Sequence, residues 1–169
     1  GVGALFVKDD QLLQPFITGA HHERSMRAST ENVSGIVAFQ KAVDCIDVAA
    51  YVAHVTPLTQ RFITLLEEKI PDIVFNQAND GLANTVNVSF KGVDGHGLAI
   101  NCDLEGIDVS TGSACSVGAI EPSHVLRAIG VADDLNMSSL RFSFGLLTTI
   151  ADIEQVVTAL VAIVARMRG

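Results

Sequence analysis

Cys115 lies in a run of small residues that would bury almost none of a side chain. Residues 109–118 read VSTGSACSVG. Glycines and small hydroxyl residues leave a thiol accessible and let a substrate approach the backbone, which suits a thiolate nucleophile. A small apolar residue in a turn explains the same pattern, since free cysteines are more often buried structural residues. Cys45 and Cys102 lie in mainly apolar stretches, which favours packing for both.

Arg141 is the second residue that could take part in catalysis or ligand binding. In SLRFSFG, residues 139–145, it shares one strand face with Ser139 and Ser143, opposite the leucine and phenylalanines. An arginine in such a position can hold a carboxylate through two parallel hydrogen bonds. A surface arginine paired with a nearby acid is the alternative.

The segment HHERSMRASTEN, residues 21–32, concentrates histidines, arginines and hydroxyl residues before an expected helix. Hydroxyls, guanidinium groups and free helix amides together suit a phosphate, although a helix cap within a solvated loop explains most of the pattern. Thr30 is the expected cap of that helix. The adjacent pair His21 and His22 does not indicate a metal site, because no third ligand is in view.

Composition limits the classes of function. The chain has 169 residues, of which 49% are hydrophobic and 18% charged, so one domain with its own core is expected. A net charge of -8 argues against nonspecific binding of nucleic acid. No apolar run reaches the length of a membrane helix. Three cysteines without CxxC spacing favour reduced thiols and a cytoplasmic location over disulfides or zinc.

The patterns predict an α/β arrangement of strands and helices. The amphipathic stretch 31–55 predicts a long helix, and Thr56-Pro57 predicts either a new helix start or a bend within one helix. The last helix should start at Thr149, with Asp152 completing a capping box. Residues 96–106 are ambiguous. Strands are expected at 3–7, 72–76, 84–90, 107–110 and 139–145. A short helix is expected at 121–130.

Five stretches fall into an order that resembles the C-terminal half of cysteine desulfurases of the NifS/IscS type. They are GVGAL, ERSMRASTEN, NTVNVSF, STGSACSVGAIEPSHVLRAIG and SLRFSFG. The resemblance covers essentially the entire chain, and the segment around Cys115 is its most specific part.

The resemblance implies the small α/β domain of a pyridoxal-phosphate enzyme of the aminotransferase-like fold (fold type I), over 21–169, with a remnant of the large domain over 1–20. Such enzymes remove sulfur from L-cysteine, leave L-alanine and carry the sulfur as a persulfide. By position, Cys115 matches the persulfide-forming nucleophile and Arg141 the arginine that binds the substrate carboxylate. Thr30 matches the threonine that reaches the cofactor phosphate of a partner subunit. The resemblance therefore also implies a homodimer and a sulfur-accepting protein, such as an iron–sulfur scaffold.

Three features of this chain depart from the family pattern. The Schiff-base lysine of the family precedes the first matched stretch, and Lys8 does not match it. We therefore expect a fragment that is inactive alone and does not hold the cofactor covalently. The family's glycine before the matched threonine is Ser29 here, and its glycine-rich run reads GAHH at 19–22. A stand-alone non-catalytic scaffold module and a selenocysteine lyase-like enzyme are the alternative interpretations.

Overall fold

The computed structural model describes residues 1–8, 13–76, 81–111 and 121–169. These residues divide into two compact units, Gly1–Asp47 and Val48–Gly169. The helices are α1 (Val33–Asp44), α2 (Val48–Lys69), α3 (Gly95–Leu104), α4 (His124–Ala128), α5 (Asp133–Met137) and α6 (Ile150–Arg168). The strands are β1 (Ile73–Phe75), β2 (Thr85–Phe90), β3 (Ser110–Thr111) and β4 (Ser139–Ser143). The predicted α/β class is confirmed.

In the first unit, the strand expected at 3–7 is absent. Leu5 and Phe6 are 78% and 90% exposed, and no strand of the described residues pairs with them. A strand persists only where its backbone groups find partners in a ladder, so apolar composition alone did not suffice. The prediction of a strand there was wrong.

Helix α1 starts two residues later than expected. Asn32 is its N-cap, and the Asn32 side chain accepts a hydrogen bond from the backbone N–H of Gly35 at 3.0 Å. Asparagine is as good an N-cap as serine or aspartate and better than threonine. Thr30 is therefore not the cap, which corrects the sequence-based assignment. Its side chain is exposed just ahead of the helix.

The stretch expected as one helix is interrupted between α1 and α2, whereas Pro57 lies inside α2. The helix therefore continues through the proline, as the second sequence-based option proposed. Proline removes one backbone donor. The Thr56 hydroxyl donates to the carbonyl of Val52 at 2.7 Å, and Leu58 and Phe62, immediately beyond, are buried in the core. This packing outweighs the intrinsic cost of the proline.

The second unit is built around a four-stranded antiparallel sheet in the order β1-β2-β4-β3. One face is apolar and packs against α2, α3 and α6. Phe62 of α2 contacts two aromatic rings on that face, with centroids 4.8 Å from Phe142 and 5.3 Å from Phe144. The strand alternation predicted for 84–90 and 139–145 is confirmed, and it leaves the opposite face polar.

Two shorter helices of the second unit were not settled by the sequence patterns. Residues 95–104 form a helix, which resolves the ambiguous segment, and residues 133–137 form a helix that the sequence patterns did not reveal. The capping box at Thr149 and Asp152 is confirmed, with reciprocal hydrogen bonds at 3.2 and 2.8 Å. None of the helices in the described ranges has the length and apolarity that crossing a bilayer requires.

Candidate functional site

A row of polar side chains crosses the polar face of the sheet. Asn87 on β2 lies directly opposite Arg141 on β4, and Arg141 lies directly opposite Ser110 on β3. Asn76, just after β1, donates its backbone N–H to the carbonyl of Asn87 at 2.9 Å. Residues directly opposite one another in neighbouring strands share a face of the sheet. The fold therefore brings four polar residues from distant parts of the chain into one line.

Arg141 is exposed at the centre of this row. Its Nη2 donates to the Ser110 hydroxyl at 3.2 Å, which holds one edge of the guanidinium against β3. The ion pairs among the described residues join Arg61 to Glu154 and Arg127 to Asp133. Within the part of the chain that the structure describes, Arg141 therefore has no acidic partner, which disfavours the alternative of a locally paired surface arginine.

A groove of about 310 Å³ opens above the row. The described residues that line it come from β2, β3, β4, α4 with its two caps, and the segment between β1 and β2. They are Asn76, Gly81, Leu82, Thr85, Asn87, Thr111, Ser123, His124, Val125, Leu126, Ile129 and Arg141. They include no aspartate or glutamate. In a chain of net charge -8, this leaves Arg141 as a positive group without a nearby opposing carboxylate in the described lining, which favours an anionic ligand.

Asn136 fixes the wall of the groove that α4 provides. Its Oδ1 accepts from the backbone N–H of Ser123 at 2.8 Å, and its Nδ2 donates to the carbonyl of Ser123 at 2.9 Å. The side chain is 2% exposed, so both bonds are shielded from water. Ser123 is also the N-cap of α4. One asparagine thus sets where α4 starts beside the groove.

Cys115 lies outside the described residues. In the sequence it follows Thr111, which lines the groove, by four residues. The role predicted for Cys115 therefore stays a prediction. In the described ranges, no group of three or more histidine, cysteine, aspartate and glutamate side chains is placed to hold a metal ion.

Thr30 belongs to the first compact unit, and Arg141 belongs to the second. Ser29, immediately before Thr30, has φ of +83°, a left-handed backbone conformation that glycine adopts at little cost. This conformation gives a physical reason for the glycine that the resembling family has there. Ser29 adopts this conformation although its Cβ makes it more costly than it would be for glycine.

The residues present fit pyridoxal phosphate only in part. The exposed hydroxyl of Thr30 lies near Arg27 in sequence and just ahead of α1, and hydroxyl and guanidinium donors suit a phosphate. None of the four lysines, Lys8, Lys41, Lys69 and Lys91, is among the described residues that line the groove. The chain thus offers donors for a phosphate and for a carboxylate but no covalent anchor at this groove.

The sequence patterns singled out Arg141 but not its neighbours on the sheet. Asn87, Asn76 and Ser110 gave no motif, because their proximity depends on strand order and register. One signal was present: in NTVNVSF, Asn87 falls on the same polar alternation that singles out Arg141 in SLRFSFG.

The fold and the groove define an α/β module with an arginine in a groove whose described lining holds no aspartate or glutamate. Residues 1–156 match the family of class-V aminotransferases. The chain belongs to that family.

The chain is similar to cysteine desulfurases in particular. It is 39% identical to cysteine desulfurase IscS of Dictyoglomus turgidum over 171 residues, covering 99% of this chain and 43% of that protein. It is 40% identical to a cysteine desulfurase of Trichormus azollae over 172 residues, with 100% and 43% covered. The chain therefore spans less than half the length of these relatives.

Solved structures agree with the sequence relatives. A NifS-like protein from Rickettsia africae superposes with a TM-score of 0.75 at 28% identity, over 89% of this chain and 39% of that protein. SspA in complex with cysteine superposes with a TM-score of 0.57 at 25% identity, over 81% and 37%. These neighbours confirm the expected fold and the resemblance to NifS/IscS proteins.

Proposed function

We propose that this chain is the C-terminal part of a cysteine desulfurase, an enzyme that converts L-cysteine to L-alanine and carries the sulfur as a persulfide on Cys115. The observation that supports the proposal most is that Arg141 lines a groove whose described lining holds no acid, in a chain similar to proteins named cysteine desulfurase. L-cysteine carries the carboxylate that such an arginine recognises.

In this proposal Arg141 binds the substrate carboxylate and so orients the amino acid in the groove. Ser110 restrains the guanidinium from the neighbouring strand, at 3.2 Å. A preoriented arginine loses less conformational entropy when a ligand binds. The chain thereby aligns the substrate with little rearrangement of its own.

Cys115 supplies the nucleophile. Its thiolate sulfur forms a bond to the substrate sulfur, and the bond between that sulfur and the substrate Cβ breaks with its electron pair staying on the carbon skeleton. Protonation of the skeleton completes L-alanine. When bound, pyridoxal phosphate supplies the electron sink that makes this bond cleavage possible.

The remaining assignments follow the same proposal. Thr30 contacts the cofactor phosphate of a partner subunit in a homodimer. Residues 1–20 belong to the large cofactor-binding domain and residues 21–169 to the small domain. The persulfide passes to an acceptor protein for iron–sulfur cluster or thio-cofactor assembly, in the cytoplasm.

The test is a single turnover with L-cysteine by the full desulfurase that contains this chain. We expect one sulfur atom added to the peptide that carries Cys115, together with L-alanine, and no added sulfur in Cys115→Ser. Cys45→Ser is the matched control because Cys45 is an exposed thiol outside the groove. Persulfide transfer that persists in Cys115→Ser would overturn the assignment of Cys115.

A non-catalytic module is the second candidate, and the lack of any lysine in the described groove lining favours it for the isolated chain. Adding pyridoxal phosphate to the 169-residue chain tests this point. We expect no internal aldimine absorption band. A stable band in the isolated chain, lost on replacing one of its lysines, would contradict the expectation.

A further inference from the structure

Asn87 is the cross-strand neighbour of Arg141 and lines the same groove. We propose that the Asn87 side-chain amide is a second donor to the substrate α-carboxylate, held in its donating orientation by Asn76 and Ser89. The inference rests on the proposed function, because it takes the carboxylate of an amino acid as the ligand of Arg141.

The hydrogen bonds that link Asn87 through Asn76 to Ser89 form a relay, and its orientation is fixed at the buried end. Ser89 is 0% exposed, and its hydroxyl is 2.6 Å from the backbone carbonyl oxygen of Leu135 on α5. A carbonyl oxygen only accepts, so the Ser89 hydroxyl must donate to it. The Ser89 oxygen is then available as an acceptor, and the Asn76 Nδ2 donates to it at 2.7 Å.

The same nitrogen of Asn76 fixes Asn87. Asn76 Nδ2 donates its second proton to Asn87 Oδ1 at 2.8 Å. Since Asn87 Oδ1 faces Asn76, the Asn87 Nδ2 lies on the opposite edge of the planar amide and points away from Asn76. Among the described residues, no hydrogen bond uses Asn87 Nδ2, which leaves both of its protons for a ligand.

The two donor groups suit one carboxylate. Side chains of directly opposed residues have Cβ atoms about 5 Å apart, which is within reach of a single bound carboxylate. Arg141 offers its remaining N–H groups after its bond to Ser110, and Asn87 offers its amide. With no acid in the described lining, nothing there competes for either donor.

The experiment is an NMR titration of the 169-residue chain with L-alanine, which has the carboxylate but no sulfur to react. We expect the Asn87 side-chain NH₂ signals to shift and saturate, and L-alaninamide, which lacks the carboxylate, to leave them in place. Asn87→Ala should weaken binding about tenfold, since a hydrogen bond to a charged group is lost. Asn87→Asp should weaken it further by repulsion.

Ser89→Ala tests the relay without changing a ligand contact. It removes the buried hydrogen bond that holds the Asn76 side chain. We therefore expect the affinity for L-alanine to fall about threefold and the shift of the Asn87 NH₂ signals to become smaller. Ser138→Ala is the matched control, because the Ser138 hydroxyl donates to the same Leu135 carbonyl at 2.9 Å but Ser138 is not among the described residues that line the groove. Its affinity should stay within about twofold of wild type.

The outcomes separate this inference from the proposed function. If Arg141→Gln abolishes binding and Asn87→Ala does not weaken it, Asn87 is not a ligand but the Arg141 contact stands. If Arg141→Gln binds as wild type does, the carboxylate contact of the proposed function fails. A wild-type chain that shows no response to L-alanine overturns the inference, and the persulfide experiment then decides the function independently.

Discussion

The thiols of Cys102 and Cys45 lie in opposite surroundings. Cys102 is fully buried in the core of the second unit, whereas Cys45 is exposed. Burial raises the pKa of the Cys102 thiol from 9.0 to about 11, because desolvation disfavours the thiolate. The sequence-based prediction that Cys102 packs is confirmed, and the same prediction for Cys45 is wrong because α1 buries no residue.

We expect iodoacetamide at about pH 8 to label Cys45 and to leave Cys102 unmodified until the chain unfolds, because only an accessible thiolate reacts. Mass spectrometry of the labelled peptides checks this. Since the folded-state pKa lies above the unfolded-state value of 9.0, the stabilisation from the buried thiol is complete below that pH and is lost as the pH rises through about 11. Equal labelling of both cysteines in the folded chain would refute the placement of Cys102.

Asn136 carries more stability than its polar side chain suggests. Asn136→Ala leaves the buried backbone N–H of Ser123 without its partner, whereas the Ser123 carbonyl keeps its bond from the Arg127 N–H at 3.0 Å. The lost bond should lower the free energy of unfolding by about 2 kcal/mol. Urea denaturation measures the change. Asp134→Ala is the control on the same helix, because Asp134 is exposed and should change stability by less than about 0.5 kcal/mol.

At the scale of elements, α6 depends on its first turn. Thr149→Ala removes the hydroxyl half of the capping box and should cost about 1 kcal/mol of unfolding free energy. Thr158→Ala, in the exposed middle of the same helix, should not destabilise the protein, since alanine is the better helix former. Equal losses in the two variants would show that the capping box contributes nothing particular.

Local signals predicted the elements better than their pairing. The capping box of α6 and the alternation in β2 and β4 follow from neighbouring residues, and both were predicted. The strand expected at 3–7 and the cap expected at Thr30 failed because long-range pairing and a competing Asn32 decided them. The row of Asn87, Arg141 and Ser110 depends on the order β2-β4-β3, which no local pattern encodes.

At the scale of the whole molecule, the two compact units differ in how much they bury. Helix α1 has no buried residue, whereas α2 and α6 bury their apolar stripes in the sheet core. Opening a segment without buried contacts costs little free energy. We therefore expect amides of Val33–Asp44 to exchange with deuterium far faster than amides of β2 and β4. Comparable protection in α1 and the sheet would contradict this difference.

The charged residues of the groove lining differ in sign from the net charge of the whole molecule. The chain carries a net charge of -8, yet the described lining of the groove holds an arginine and no acid. Composition alone argued only against nucleic acid, since a small anion needs one local cation rather than a basic surface. The overall charge and the proposed ligand are therefore compatible.

The most direct test of this account is the steady-state formation of L-alanine from L-cysteine by the full desulfurase that contains this chain, with Arg141 replaced by lysine. Lysine keeps the charge but loses the bidentate geometry, so we expect the KM for L-cysteine to rise about tenfold or more, with a smaller change in kcat. Arg61→Lys is the matched control, since Arg61 pairs with Glu154 outside the groove. An Arg141→Lys enzyme with unchanged KM would contradict the proposed role of Arg141.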